Sequence, residues 1–238
     1  MVSQQGNIWL YVPNLIGYTR IVFAIYALFI SLRSPVQCML LYFASFVCDE
    51  LDGRFARLLN QTSTLGAVMD MVTDRMATTG LLLILAVLYP QLLLLFLALI
   101  FLDIFSHWFQ MYATLLVGAI SHKDTASSSW LVRTYYQHRF FMGFCCVCCE
   151  VLYLAAYGLA FPGPRSITVF GGMGVQLPAQ LGQLLPSLHL VVGPQGISVL
   201  ALLALIALPG SVVKQICNWA QLRTSASVLV AHDMRKRA

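Results

Sequence analysis

Charge is what this sequence has least of. Only 10% of its 238 residues are Asp, Glu, Lys or Arg, 59% are hydrophobic, and mean hydropathy is +0.80. From Met76 to Leu102 there is no charged residue at all. A helix needs about 20 mainly apolar residues to cross a bilayer, and several windows meet that requirement. This excludes one or two soluble domains and predicts an all-α, polytopic membrane protein. The short alternating segments of a β-barrel are missing too, and the leucine runs between residues 82 and 101 do not fit one.

Other absences narrow the reading. The start, "MVSQQGNIWLYVPN", has no basic stretch and no small-residue cleavage site, so no signal peptide is expected and the first span acts as its own insertion signal. Val2 excludes N-myristoylation, and "HDMRKRA" is not a prenylation box. The net charge of +5 is scattered over loops and the Arg235–Arg237 tail, which reads as topology and attraction to anionic lipid rather than nucleic-acid binding. Seven cysteines imply no disulfide framework. Cys145, Cys148 and Cys149 share a helical face, but a metal site there would need thiolates in lipid; they read as small apolar packing residues.

Six spans can be laid out, at about 15–32, 36–59, 65–88, 92–117, 139–160 and 196–220, in a single membrane domain covering 1–238. Residues 161–190, rich in Gly, Pro and Gln, read as a loop with at most a short interfacial helix. With the N-terminus in the cytoplasm, Arg54, Arg57, Lys123, Arg133, Arg139, Arg223 and the terminal trio fall on the cytoplasmic side; only Arg33 and Arg165 fall opposite.

Against this background one stretch stands out. "CDELDGRFARLLNQTSTLGAVMDMVTDR", residues 48 to 75, holds five of the nine acids in the chain and three arginines. Asp49 and Asp52 are three apart and Asp70 and Asp74 four apart, so each pair shares a helical face. "LNQTST" supplies a turn near Gln61. Counting outward, Asp52 and Asp70 sit at a matching depth of about 13 Å, and Asp49 and Asp74 at about 19 Å. An antiparallel pair of helices packed about 8–10 Å apart would bring all four carboxylates together.

Four ionised carboxylates in a partly dry site require protonation or a cation. Oxygen ligands with no His or Cys nearby select Mg²⁺ or Mn²⁺, and their number suits two ions, which would neutralise a diphosphate and polarise phosphorus. Gly53 and Gly66 flank the cluster and would let a bulky ligand approach the backbone. Arg57 can grip a phosphate in forked geometry. An EF-hand is excluded because "DELDGR" lacks the alternating ligands and the later bidentate Glu. A purely structural network pairing Asp49 with Arg57 and Asp70 with Arg75 would leave two acids unpaired.

The pattern Asp49-x2-Asp52-Gly53-x2-Ala56-Arg57-x8-Gly66-x3-Asp70-x3-Asp74 resembles, at each of its fixed positions, the signature of the CDP-alcohol phosphatidyltransferase family. The flanks "VPNLIGYTRIVFA", "LNQTS", "MDMVTDR", "SHW" at 106–108 and "SHK" at 121–123 are similar to its eukaryotic, inositol-using members, over about residues 8 to 160. The resemblance implies a six-span fold with a cytosol-facing polar cavity, a homodimer, and an endoplasmic reticulum membrane with the active site and both termini cytosolic. It implies that Asp49, Asp52 and Asp70 hold the metals, Asp49 and Asp70 bridging them. Asp74 touches the second metal and serves as catalytic base. Gly53, Arg57 and Ser63, with Gly66 beside them, meet the headgroup of CDP-diacylglycerol. A hydroxyl of myo-inositol would attack the diacylglycerol-linked phosphorus and CMP would depart, giving phosphatidylinositol. Sibling transferases that use glycerol 3-phosphate, serine, choline or ethanolamine are the alternative, followed by a divalent-cation carrier.

Arg133 and Arg139 could cap the inositol pocket, although basic loop residues also serve as topology signals. Asn14 and Arg20 open the first helix near the same face. Asp103 with Ser106 and His107, and Glu150, are intramembrane polar groups that either line the cavity or bond to a neighbouring helix.

Overall fold

The computed structural model describes residues 7–117, 134, 137–165, 167–169, 192–193 and 196–237. Among the described residues six long helices carry the fold: α1 (Val12–Ile30), α2 (Pro35–Leu58), α3 (Thr64–Leu88), α4 (Leu93–Val117), α5 (Arg139–Leu159) and α6 (Val199–Arg237). The chain is therefore an all-α polytopic membrane protein. Five of these helices are long and apolar enough to cross a membrane. The other, α2, has 24 residues but carries Asp49, Glu50, Asp52, Arg54 and Arg57 in its second half.

Local chemistry sets the boundaries. Pro13 and Pro35 open α1 and α2, where a missing N–H costs nothing. Tyr89, turned out of the helical region (φ −128°, ψ 69°) before Pro90, ends α3. The last helix differs from the expected 196–220. It begins at Val199, because Gly196–Ser198 forms the central strand of a small antiparallel sheet with Thr168–Val169 and Val192–Gly193. It then continues through Pro209 to Arg237, 39 residues in all.

The most extensive packing is between α1 and α2, between α5 and α6, and between α4 and α6, while α3 touches α1, α4 and α5. The core, built on Ala27, Ile30, Cys38, Tyr42, Leu81, Leu82, Leu85, Phe96, Ile100 and Tyr157, lies where α1 to α5 meet. Large side chains such as Val22, Ile25 and Phe29 of α1 and Leu94, Phe101 and Leu115 of α4 point outward, as helices bathed in hydrocarbon require. Polar bonds tie the helices together from within: the Tyr157 hydroxyl donates to the Ser31 carbonyl, and the Tyr89 hydroxyl to the Ala156 carbonyl at 2.8 Å.

The cysteines pack as the sequence predicts. Cys145, Cys148 and Cys149 are all buried, and Gly210 of α6 lies so close to α5 that a Cβ there would stand 2.8 Å from the Cβ of Cys148. A valine must push α5 and α6 apart. Gly210→Val is expected to cost about 1–3 kcal/mol, read as a lower thermal midpoint in detergent. Gly143→Ala, whose Cβ meets nothing within 4 Å, is the control and should melt at or slightly above the parent, since alanine favours the helix over glycine.

Candidate active site

The site begins with a turn. After α2, Asn60 adopts a positive φ of 53°, and the N–H groups of Asn60 and Gln61 donate back to the carbonyls of Arg57 and Ala56, closing the helix with a Schellman motif. Ser63 then caps α3, its Oγ accepting the Gly66 N–H at 3.0 Å. The Gln61 side chain accepts the Val12 N–H at 3.0 Å, which ties this turn to the start of α1.

Asp49, Asp52, Asp70 and Asp74 converge, but not through direct packing of α2 on α3. Both helices rest on α1, and Arg20 of α1 fills the gap between them. Its Nη1 lies 2.7 Å from Asp49 Oδ1, 2.7 Å from Asp70 Oδ1 and 3.8 Å from Asp52 Oδ2, while Nη2 bonds Asp74. Arg20 is buried, with 4% of its side chain exposed, and its backbone carbonyl accepts from Ser45 of α2 at 3.1 Å. The ion pairs imagined between Asp49 and Arg57 and between Asp70 and Arg75 are not those that form. Arg75 instead pairs with Asp103 at 3.1 Å and approaches Asp74 at 3.6 Å.

The donor set suits a divalent cation. Asp49, Asp70 and Asp74 each offer a carboxylate oxygen, all within 4.8 Å of one another. Four carboxylates against Arg20, with Arg75 3.6 Å from Asp74 at the edge, leave the cluster net negative, a charge that a divalent cation would offset.

Two cavities share the acidic cluster as a wall. The first, about 550 Å³ including its open mouth, is lined by Asn14, Asp52, Gly53, Arg57, Ser63, Gly66 and Asp70. The four residues expected at a nucleotide headgroup thus line one space. Gly66 is needed there: a Cβ would come within 2.8 Å of Asn14 Oδ1 and 3.1 Å of Ser63 Oγ. The second cavity, about 590 Å³ with its opening, lies beyond Asp49 and Asp74 and is bounded by α2 through α6.

Of the tentative inositol residues, Arg133 lies outside the described residues; Arg139 begins α5, and its side chain lies outside them as well. Glu150 bonds to neighbouring helices, accepting from Tyr42 at 2.8 Å and Thr78 at 3.0 Å, and it also lines the second cavity. Asp103, His107 and Ser106 form a cluster on α4, in which His107 Nε2 lies 2.6 Å from Arg75 Nη1. Sequence reasoning missed the central position of Arg20. The available signal was a lone cation nine residues into an otherwise uncharged first helix.

A membrane-embedded bundle with four aspartates in this spacing, walled between two cavities, defines a class. The chain belongs to the CDP-alcohol phosphatidyltransferase family, whose profile matches residues 10–161. Its relatives include CDP-diacylglycerol–inositol 3-phosphatidyltransferase 1 of Arabidopsis thaliana, 41% identical over 98% of this chain and 95% of that one. The CDP-diacylglycerol–inositol 3-phosphatidyltransferases of Schizosaccharomyces pombe (37% identical, 99% and 95% covered) and Rattus norvegicus (38%, 82% and 95%) are also similar. The likeness therefore extends past residue 160 to the whole chain. No solved structure matches it.

Removing the guanidinium leaves four carboxylates without their shared partner. Arg20→Met is expected to destabilise the protein by about 3 kcal/mol, the low end for a broken buried pair because Asp70 and Asp74 are partly exposed. Adding Asp49→Asn should restore part of the lost thermal midpoint; additive losses would count against the shared network.

Proposed function

We propose that the protein transfers the phosphatidyl group of CDP-diacylglycerol to myo-inositol, releasing CMP and phosphatidylinositol. The observation that carries this reading is the shared wall: headgroup residues line the cavity on the Asp52 and Asp70 side, and a second polar cavity opens on the Asp49 and Asp74 side. A displacement at phosphorus needs donor and acceptor to approach one charged centre from different directions. The printed names of the relatives support inositol as the acceptor.

Arg57 and the hydroxyl of Ser63 would bind the diphosphate, with Gly53 and Gly66 leaving room for it. Ser63 accepts the Gly66 N–H, which leaves its O–H to donate. Divalent ions, Mg²⁺ or Mn²⁺ and two in number, would be held by Asp49, Asp52, Asp70 and Asp74 and would supply charge neutralisation at the diphosphate. Asp74 accepts the proton of the attacking inositol hydroxyl, a task worth about 10²–10⁴-fold. The new O–P bond forms as the P–O bond to CMP breaks, and no covalent enzyme intermediate is needed.

In this reading α2 is a sixth span, the bundle works as a homodimer in the endoplasmic reticulum membrane, and the acidic end of α2 and α3 opens to the cytosol. Loop charge supports that orientation: Arg54, Arg57, Arg223 and the tail collect on one side.

In sealed microsomes carrying the protein, CMP release into the outer medium should require myo-inositol and added Mg²⁺ or Mn²⁺. Equal release in a chelator, or with glycerol 3-phosphate in place of inositol, would sink the proposal.

The two acids of α3 should separate under mutation. Asp74→Asn keeps an oxygen but is a poor proton acceptor, so single-turnover rate should fall by about 10² or more while CDP-diacylglycerol binding stays within a few-fold. Asp70→Asn should weaken metal and CDP-diacylglycerol binding together. Near-normal turnover in Asp74→Asn would remove it as the base.

A further inference from the structure

A second cation lies against Asp74, at the carboxylate oxygen that Arg20 does not hold. Arg75 follows Asp74 in α3, and one residue turns a helix by about 100°, so its side chain leaves in another direction, toward α4. There it meets Asp103, with Nε 3.1 Å from Oδ2 and Nη1 donating to Oδ1 at 3.3 Å. Nη1 also lies 2.6 Å from His107 Nε2. His107 Nδ1 is 2.8 Å from the Asp103 carbonyl and donates to it, so Nε2 carries the lone pair that accepts from Arg75. Ser106 donates to the same carbonyl at 3.0 Å, and Gln221 of α6 donates to the Ser106 carbonyl at 3.1 Å, which fixes this stretch of α4.

We infer that Asp103 is a positioning residue for the transfer reaction: with His107 it holds the Arg75 guanidinium off Asp74. This rests on the transferase reading above, in which Asp74 needs a free oxygen. Arg20 bonds Asp74 Oδ1, so Oδ2 is the oxygen left for the proton of an attacking hydroxyl or for a divalent ion. Arg75 Nη2 stands 3.6 Å from that Oδ2, near enough for attraction but beyond hydrogen-bonding range. The attraction grows on approach, and a guanidinium closing to about 2.8 Å would make a charge-assisted hydrogen bond that occupies Oδ2. What opposes this collapse is the pull from α4. Nε and Nη1 are both turned to Asp103, and Nη1 is shared with His107. Lys214 of α6 also lies near Asp103, so this acid stands between two cations, whereas Asp74 is already matched by Arg20. Divalent ions held by the four aspartates would repel Arg75, but they also compete with it for Oδ2; the brace on α4 removes Arg75 from that contest. Asp103 is only 8% exposed, which makes its hold on Arg75 stronger than that of a surface pair.

The test uses the full-length protein in nanodiscs. Single-turnover CMP release is measured at saturating myo-inositol and fixed Mg²⁺, and CDP-diacylglycerol binding is measured separately. Asp103→Leu, close in size but without charge, should lower the rate by about tenfold or more, short of the roughly 10²–10⁴-fold ascribed to the base itself. Its CDP-diacylglycerol dissociation constant should stay within about twofold, which a general loss of structure would not allow. Adding Arg75→Met removes the collapsing cation, so the double variant should react about tenfold faster than Asp103→Leu. A merely structural role for Asp103 predicts the reverse, since the second substitution would deepen the damage. If Asp103→Leu fails to fold, Asp103→Asn, alone and with Arg75→Met, carries the same expectation on a smaller scale. An unchanged rate in the Asp103 variant, or a double variant no faster than it while CDP-diacylglycerol still binds, would overturn the positioning role alone. No inositol-dependent release by the unaltered protein would overturn the transferase reading and the positioning role with it.

Discussion

One guanidinium organises the acidic end of this bundle. Arg20 stands among four carboxylates contributed by two other helices, and its own backbone is pinned to α2 through Ser45. Like charges on α2 and α3 would repel in a poorly hydrated space, and direct packing of the two helices would bring the acids together with no compensation. Setting α1 between them solves the problem sterically and electrostatically. The outcome is a cluster that is cohesive yet still net negative, which a structural salt bridge would not be.

The turn between α2 and α3 continues the same logic. Its Schellman closure, its Ser63 cap and the bond from Val12 to Gln61 fix three helix ends against one another. Precision at the carboxylates then follows from rigid elements, because each acid is one to three helical turns from an anchored end. The residues lining the first cavity come from this same anchored region, so the shape of that cavity and the geometry at the acids are set together.

The sequence made the acidic site legible because helical spacing is arithmetic: carboxylates three and four apart, counted from a polar turn, fall on common faces at common depths. It did not reveal which helix supplies the countercharge. Membrane helices here are apolar nearly all round, so the periodic pattern that identifies the buried face of a soluble helix carries little information. The register of Arg20 against Asp70 and Asp74 is purely tertiary. The same limitation hid the second cavity, the chamber beyond Asp74, whose wall draws single polar residues from helices distant in sequence. The end of α6 was missed for another reason. Hydropathy falls after Trp219, but a helix does not stop where the membrane does; it stops where capping or proline chemistry tells it to, and none intervenes before Arg237.

That long helix has a mechanical consequence. At 39 residues α6 measures about 58 Å, roughly twice the hydrocarbon thickness of about 30 Å, so no ordinary tilt submerges it. Rotation about the close contact of Gly210 with Cys148 would make it a lever arm. From that fulcrum to Arg237 the rod runs about 40 Å, so a rotation of about 5° swings the basic tip by about 3–4 Å. Lys214 and Gln215 sit close to the pivot, where the same rotation moves them by only a fraction of an ångström. A disturbance at the tip is thus geared down before it reaches the chamber, while any repacking of α5 on α6 is magnified at the water's edge.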